Sequence, residues 1–128
     1  MLLNTPLNMP TKILFVCSAN KQRSRTAEDY FAQKYPDLED YIFDSAGTNL
    51  VICQKEGTNP LTEQLLEWAD DIFVMEKKHL EIIKKNISKG TENKNIHKIK
   101  VLRIADRYKY YQPELLEILE EKMENYFA

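Results

Sequence analysis

A cysteine, an arginine and a serine lie close together in the segment VCSANKQRS, which spans residues 16–24. Cys17 ends a run of apolar residues, and Arg23 and Ser24 follow six and seven positions later. A thiolate is a strong nucleophile, and the planar guanidinium of an arginine can bind two oxygens of a phosphate group. This spacing therefore places a candidate nucleophile and a candidate anion clamp in one short loop.

Each of these residues also has a purely structural interpretation. Cys17 could be a small buried residue that ends a core strand. Arg23 could pair with a surface carboxylate, and Ser24 could cap a helix. The spacing alone is weak evidence, because chance places an arginine six residues after a cysteine in roughly one such sequence in fifteen. The surrounding elements must decide between these interpretations.

Four short apolar segments predict β-strands, and each is followed by a segment with helical spacing. The predicted strands are 13–16, 41–43, 72–75 and 99–102, and the predicted helices are 24–35, 60–69, 77–87 and 113–127. This alternation favours an α/β fold, in which a parallel sheet is covered by helices on both faces. We expect a single domain over residues 11–128, preceded by a flexible N-terminal extension over residues 1–10.

Individual residues predict several boundaries. Pro36 closes the first helix, and the second strand is expected to break at Ala46 and Gly47. Asn59 is the predicted N-cap of the next helix, with Pro60 as its first residue. The segment SKGTENKN, residues 88–95, is predicted to be a surface loop.

The composition, with 43% hydrophobic and 30% charged residues, is typical of a soluble globular protein. The net charge of -2 implies no general attraction to nucleic acid or to an anionic membrane. Two cysteines fit a reducing compartment better than a disulfide framework. No apolar run approaches the length of about 20 residues that a membrane helix needs, and the first ten residues are too polar for a signal peptide. We therefore expect a cytoplasmic protein.

The loop after the first strand lies where a phosphate-binding loop is expected. Ligands of parallel sheets bind beyond the carboxyl ends of the strands, and Cys17 stands at such an end. A helix that begins near Arg23 points its free N–H groups and its positive dipole end toward Cys17, which favours a thiolate and a bound anion. The three glycines are far apart, which excludes the glycine-rich nucleotide-binding motifs.

VCSANKQRS resembles the CxxxxxRS phosphate-binding loop of the low-molecular-weight protein tyrosine phosphatases, as in a divergent member of bacterial type. Further matches follow in the family's order: Ala27 and Glu28 in the helix, FDSAGT at 43–48, IFVME at 72–76 and ADRY at 105–108. The resemblance spans residues 12 to 127. It implies a three-layer, flavodoxin-like arrangement with a four-stranded parallel sheet of order 2-1-3-4.

The resemblance implies a phosphomonoester hydrolase, in the first place a protein tyrosine phosphatase, that needs no metal or cofactor. Cys17 would attack phosphorus and form a phosphocysteine intermediate, while Arg23 would hold the phosphoryl oxygens. Asp106 would protonate the leaving phenolate and then deprotonate the hydrolytic water. The expected ligands are a phosphotyrosine protein or a small aryl phosphate, and a phosphate or sulfate ion in the loop.

Other residues receive supporting roles from the resemblance. Asn20 would support the loop through Ser45, and Tyr108 would either wall the pocket, with Tyr110 and Tyr111, or pack in the core. The substrate-binding residues within the loop would be Ser18, Ala19, Asn20, Lys21, Gln22 and Ser24, the last through a hydrogen bond to the sulfur.

The sequence departs from the family pattern at several positions. Arg107 replaces a proline after Asp106, which leaves open that Asp106 is an ordinary turn residue. Lys21 replaces a residue that is commonly apolar, and Gln22 replaces a cysteine that often protects the nucleophile. The segment with Val51, Ile52 and Cys53 would be a loop facing the substrate, in which Cys53 is expected to be an inert loop or core thiol, with a redox partner as the alternative.

Three other acidic residues and two other functions compete with these assignments. Asp70 and Asp71 lie at the wrong end of the third strand, and Glu76 is expected to cap the following helix. A non-catalytic reader of phosphate or phosphoproteins remains an alternative function. An arsenate reductase of the same fold would need resolving cysteines that residues 77–90 lack.

Overall fold

The structure is a computed structural model that describes residues 9–87 and 94–127. Four parallel strands form one sheet in the order β2-β1-β3-β4. The strands are β1 (Thr11–Cys17), β2 (Tyr41–Gly47), β3 (Asp71–Val74) and β4 (Ile99–Val101). The predicted α/β fold, with its parallel sheet of order 2-1-3-4, is therefore confirmed.

Five α-helices connect or flank the strands of the described chain. They are α1 (Arg23–Lys34), α2 (Leu50–Glu56), α3 (Glu63–Trp68), α4 (Lys77–Ile82) and α5 (Pro113–Phe127). A π-helical turn over Ile83–Ile87 continues α4, and a 3-10 turn over Ile96–Lys98 precedes β4. Most of the surface loop predicted at 88–95, and most of the N-terminal extension predicted at 1–10, lie outside the described residues. None of the described helices combines the length and the apolar character needed to cross a membrane.

Strand β1 is the centre of the fold because both of its faces are buried. Side chains alternate between the two faces of a strand, so Ile13 and Phe15 point one way while Leu14 and Val16 point the other. One cluster joins the first pair to α1 and α5 through Phe31, Leu115 and Leu119. The other cluster joins the second pair to α3 and the π-helical turn through Leu66 and Ile83. Helices therefore cover both faces of the sheet, as predicted.

The third helix begins later than the sequence predicted. Thr62 is its N-cap and accepts a hydrogen bond from the Leu65 backbone at 3.1 Å, so the prediction of an Asn59 cap was wrong. The preceding segment is held extended beside the end of β2. Gly47 donates to the Asn59 carbonyl at 2.9 Å, and Leu61 donates to the Gly47 carbonyl at 2.8 Å. Tertiary hydrogen bonds therefore override the local capping signal.

The predicted substrate-facing loop with Val51, Ile52 and Cys53 is part of helix α2 instead. Asn49 caps this helix and accepts a hydrogen bond from the Ile52 backbone at 3.1 Å. Strand β2 also continues through Ala46 and ends at Gly47, so the break predicted at these two residues was wrong for Ala46 and correct for Gly47. A Cβ atom at Gly47 would lie 2.6 Å from both Cys53 Sγ and the Ser18 carbonyl oxygen. Glycine is therefore required where β2 meets the loop after Cys17.

Candidate active site

The loop from Ser18 to Gln22 joins the end of β1 to the start of α1. Carbonyl groups at the start of this loop accept hydrogen bonds from residues that follow β2. The backbone N–H of Thr48 donates to the Cys17 carbonyl and that of Asn49 to the Ser18 carbonyl, each at 2.9 Å. The Thr58 hydroxyl donates to the Ala19 carbonyl at 2.6 Å. In a trans peptide the N–H group points opposite to the carbonyl group. The N–H groups of residues 18–20 therefore point away from these three partners.

A pocket of about 160 Å³ lies over Cys17. Its lining brings together the three predicted catalytic residues and four of the predicted loop residues: Cys17, Ser18, Ala19, Lys21, Gln22, Arg23 and Asp106. Of the other predicted site residues, Asn20, Ser24 and Ser45 are buried and do not line this pocket. Tyr108 does not line this pocket.

Ser24 contacts the sulfur of Cys17 from the first turn of α1. Its Oγ lies 3.0 Å from Cys17 Sγ, and it accepts a hydrogen bond from the Asn20 amide nitrogen at 2.9 Å. Because Asn20 donates a hydrogen bond to the Ser24 oxygen, the hydroxyl of Ser24 can direct its own proton toward the sulfur. The Ser24 hydroxyl is therefore placed to donate a hydrogen bond to the sulfur.

Asn20 connects the loop to β2 and to the segment before α3. It has a φ of 53°, in the left-handed region that asparagine tolerates, and its amide also donates to Ser45 Oγ at 2.8 Å. Ser45 in turn donates to Glu28 at 2.6 Å. Burial raises the pKa of Glu28, against the lowering effect of this hydrogen bond. The backbone N–H of Asn59 donates to Asn20 Oδ1 at 3.1 Å, which fixes the orientation of the amide.

Arg23 is buried, with 2% of its side chain exposed. Its Nη1 donates to Glu76 Oε2 at 2.5 Å and to the Ile104 carbonyl at 2.8 Å. Burial would raise the pKa of Glu76, but the hydrogen bond and charge of Arg23 lower it. Arg23 therefore does pair with a carboxylate, as the structural interpretation of the sequence allowed. The pair with Glu76 fixes the guanidinium, and Arg23 still lines the pocket.

Asp106 lines the pocket, with 59% of its side chain exposed and its Oδ1 3.8 Å from Arg23 Nε. The next residues turn away from the pocket. The Arg107 guanidinium carbon lies 5.8 Å from the centre of the Tyr108 ring, and Tyr108 lines a separate groove with Ile118. Tyr110 donates to Asp29, which raises the pKa of the tyrosine to about 12.

His79, which was not among the predicted site residues, is fully buried at the third position of α4. Its Nδ1 accepts a hydrogen bond from the Glu76 backbone at 3.0 Å, and its Nε2 lies 2.9 Å from Ser18 Oγ. Burial, followed by the nearby charge of Arg23, lowers the pKa of His79 to about 4. The spacing of Glu76 and His79, which form a capping box, was the available signal.

Cys53 and Lys21 both lie next to the loop backbone but differ in exposure. Cys53 is fully buried, with its Sγ 3.7 Å from the Ala19 carbonyl oxygen. Lys21 is largely exposed and pairs with Glu56 at 3.2 Å. Within residues 9–87 and 94–127, no three His, Cys, Asp or Glu side chains are grouped so that they could hold a metal ion.

No protein-family model and no curated protein sequence matches the chain significantly. Solved structures do match it over most of its length. The tyrosine phosphatase Wzb from Escherichia coli K30, solved with phosphate, has 23% sequence identity and a TM-score of 0.68 over 92% of this chain and 96% of that chain. The tyrosine phosphatase AmsI from Erwinia amylovora has 24% identity and a TM-score of 0.67, covering 93% of this chain and 92% of that one.

A third similar structure is the YwlE arginine phosphatase from Geobacillus stearothermophilus. It has 20% identity and a TM-score of 0.68, and the match covers 92% of this chain and 93% of that chain. At these identities, the similarity defines the fold. The resemblance stated from the sequence is confirmed at that level: the chain has the fold of the low-molecular-weight protein tyrosine phosphatases.

Proposed function

We propose that the protein is a phosphomonoester hydrolase that acts on phosphotyrosine through a phosphocysteine intermediate at Cys17. The observation that carries the proposal is the 3.0 Å contact between Cys17 Sγ and Ser24 Oγ, beside the buried guanidinium of Arg23. A hydroxyl donor and a cation together favour a thiolate, which is the nucleophilic form of cysteine. Binding of phosphate alone would require neither the thiol nor its hydrogen bond.

In the first step, the Cys17 thiolate attacks phosphorus, the S–P bond forms and the bond from phosphorus to the phenolic oxygen breaks. Asp106, in its protonated form, transfers its proton to the leaving oxygen. The charge on the three equatorial oxygens is stabilised by Arg23 and by the loop N–H groups, which point away from the outer partners of the loop carbonyls.

In the second step, water attacks the phosphocysteine and gives a proton to the Asp106 carboxylate. The S–P bond breaks, inorganic phosphate is released, and the sulfur leaves as a thiolate. The Ser24 hydroxyl stabilises the departing sulfur because its proton remains available. The enzyme returns to its initial state, with Asp106 protonated again.

The substrate choice follows from charge at the pocket. The similar structures include both tyrosine phosphatases and an arginine phosphatase. Lys21 lines the pocket here, and its ammonium group, although paired with Glu56 at 3.2 Å, adds a repulsion against the cationic guanidinium of a phosphoarginine side chain. The uncharged ring of phosphotyrosine meets no such repulsion. We therefore expect phosphotyrosine to be preferred over phosphoarginine.

A non-catalytic phosphate reader is the second candidate, because Asp106 is largely exposed and, among the described residues, its side chain has no hydrogen bond or ion pair closer than the 3.8 Å approach to Arg23. The arsenate-reductase alternative lacks a resolving thiol, since the only other cysteine of the chain, Cys53, is fully buried.

Hydrolysis of p-nitrophenyl phosphate by the wild type, Cys17→Ser and Cys53→Ser tests the proposal. We expect activity in the wild type and in Cys53→Ser, and none in Cys17→Ser. Equal rates in the wild type and Cys17→Ser would refute the mechanism, and a wild type that binds phosphate without turnover would favour the reader.

A further inference from the structure

The hydrogen bond between Ser18 and His79 has no role in the steps proposed above. Ser18 follows the candidate nucleophile directly and lines its pocket, whereas His79 is fully buried in α4. The 2.9 Å contact between their side chains joins residues that are 61 positions apart in the chain. Which of the two side chains donates in this contact depends on which ring nitrogen of His79 carries the proton.

The capping box at the start of α4 determines this state. The backbone N–H of Glu76 points at His79 Nδ1 over 3.0 Å. A backbone N–H group can only donate, so Nδ1 must accept and carries no proton. The ring is therefore neutral, with its single proton on Nε2. The low pKa of His79, which results first from burial and then from the charge of Arg23, agrees with this neutral state at neutral pH.

The position of that proton determines the direction of the contact with Ser18. Because Nε2 carries the proton, His79 donates and the Ser18 oxygen accepts. A serine hydroxyl has one proton of its own, and no acceptor for it lies within hydrogen-bond distance among residues 9–87 and 94–127. The opposite tautomer would accept the proton of Ser18 and leave the pocket without this donor.

We propose that the Ser18 hydroxyl donates a hydrogen bond to an oxygen of the phosphate group bound over Cys17, and that His79 is the positioning residue that keeps the Ser18 proton free for it. This inference rests on the proposed function, since it takes the pocket to bind a tetrahedral oxyanion. Glu76 and His79 then support the pocket from one helix terminus: Glu76 holds Arg23, and His79 orients Ser18.

Calorimetric titration with inorganic phosphate tests the Ser18 bond without requiring turnover. A hydrogen bond to a charged ligand is lost in Ser18→Ala, and we expect phosphate to bind about 10-fold more weakly or worse. Ser18→Thr keeps the hydroxyl and should recover most of the affinity. Thr48→Val is the matched control, because it removes a buried hydroxyl near the loop that has no partner among the described residues. It should leave phosphate affinity unchanged.

The outcomes separate this inference from the proposed function. If the wild type binds phosphate and Ser18→Ala binds it equally well, the Ser18 proposal is wrong while the proposed function stands. If the wild type binds no phosphate, both are wrong. Weaker binding in Ser18→Ala with recovery in Ser18→Thr supports the inference.

The role of His79 is tested by nitrogen NMR of the unmodified protein and by a double-mutant cycle. We expect the spectrum at neutral pH to show the Nε2–H tautomer of His79. A spectrum of the Nδ1–H tautomer or of a cationic ring would overturn the proposal. His79→Phe should weaken phosphate binding in the wild type, but add little in the Ser18→Ala background, because His79 acts through that hydroxyl. A residue that only stabilises the fold would lower the melting temperature and show no such coupling in phosphate affinity.

Discussion

The carboxylate of Glu76 lies 2.5 Å from the guanidinium of Arg23, so a residue outside the loop fixes the arginine that is proposed to bind phosphate. Arg23 is almost fully buried, and burying a guanidinium without a counter-charge is costly. Glu76 therefore links the stability of the fold to the geometry of the pocket.

Replacing Glu76 by glutamine keeps the size of the side chain and removes its charge. We expect the free energy of unfolding to fall by about 2 kcal/mol, because the buried Arg23 cation loses its charged partner. Denaturant unfolding measures this change. Phosphate in the pocket supplies a new counter-charge, so it should raise the melting temperature of Glu76→Gln more than that of the wild type. The exposed Glu121→Gln provides the control, and an equal loss of stability there would contradict the explanation.

Asp106 should matter most when the leaving group is poor. Phosphotyrosine leaves as a basic phenolate that needs a proton, so Asp106→Asn should lower kcat on a phosphotyrosine peptide by about 100-fold. Nitrophenolate is a better leaving group, and the loss on p-nitrophenyl phosphate should be smaller. Steady-state kinetics on the two substrates measure this difference, with the exposed Asp40→Asn as the control. An unchanged rate on phosphotyrosine would move the acid role to another residue.

Asn20 has a left-handed backbone conformation, and its side-chain amide makes three hydrogen bonds. Two substitutions separate the contributions of the backbone and of the amide to stability. Asn20→Gly keeps the backbone conformation and loses the hydrogen bonds to Ser24 and Ser45, whereas Asn20→Ala also incurs the strain of a positive φ. We expect Asn20→Ala to be less stable than Asn20→Gly by about 1 kcal/mol. Urea unfolding decides this order, and the reverse order would contradict the strained loop. Both variants should lose most activity.

The free energy of unfolding should depend on pH because burial lowers the pKa of His79 in the folded protein. The unfolded chain takes up a proton on this side chain near the ordinary value of about 6.5, but the folded protein does not until about pH 4. Because the unfolded state binds more protons in this window, stability falls as the pH falls from about 6.5 to 4. The shift corresponds to about 3 kcal/mol from this group. Denaturant unfolding at several pH values measures it.

Two histidine variants isolate this effect. His79→Gln should flatten the pH dependence between about pH 4 and 6.5, because the titrating group is gone. The exposed His97→Gln should leave it unchanged. Equal slopes in the wild type and His79→Gln would show that His79 is not responsible.

Thr48 and Thr58 form a matched pair of hydroxyls beside the loop. The buried Thr48 hydroxyl has no partner within the described parts of the chain, whereas the Thr58 hydroxyl donates to the Ala19 carbonyl at 2.6 Å. Thr48→Val should therefore raise the free energy of unfolding by about 1 kcal/mol, and Thr58→Val should lower it by a similar amount. Thermal unfolding of both variants provides the test, and a loss of stability in Thr48→Val would mean that its hydroxyl has a partner.

The sequence predicted the centre of the fold because its signals are local. The apolar run at 13–16 predicts a strand covered on both faces, and the structure buries all four of these side chains. The position of Cys17 at the end of that strand, with Arg23 at the start of the next helix, follows from the same local order. The candidate site could therefore be located before its geometry was known.

The remaining features depend on partners that are distant in the chain. Helix α2 was missed because Leu50, Val51 and Ile52 are apolar but exposed, so they do not form a buried helical stripe. Asn59 carries a strong capping signal, yet its hydrogen bonds go to Asn20 and Ser45. His79 gives no catalytic signal in the sequence, because its contact with the pocket arises only when α4 packs beside the loop.

The proposed mechanism transfers the phosphoryl group of the substrate to the sulfur of Cys17 before water releases it. Rapid mixing with p-nitrophenyl phosphate tests this step most directly. Because nitrophenolate leaves readily, breakdown of the phosphocysteine should limit turnover, and an initial burst should release about one nitrophenolate per Cys17 before the steady state. Acid quenching during the burst should yield protein with phosphate attached to Cys17, which mass spectrometry can locate. Active protein that carries no phosphate on Cys17 at any time would contradict the account.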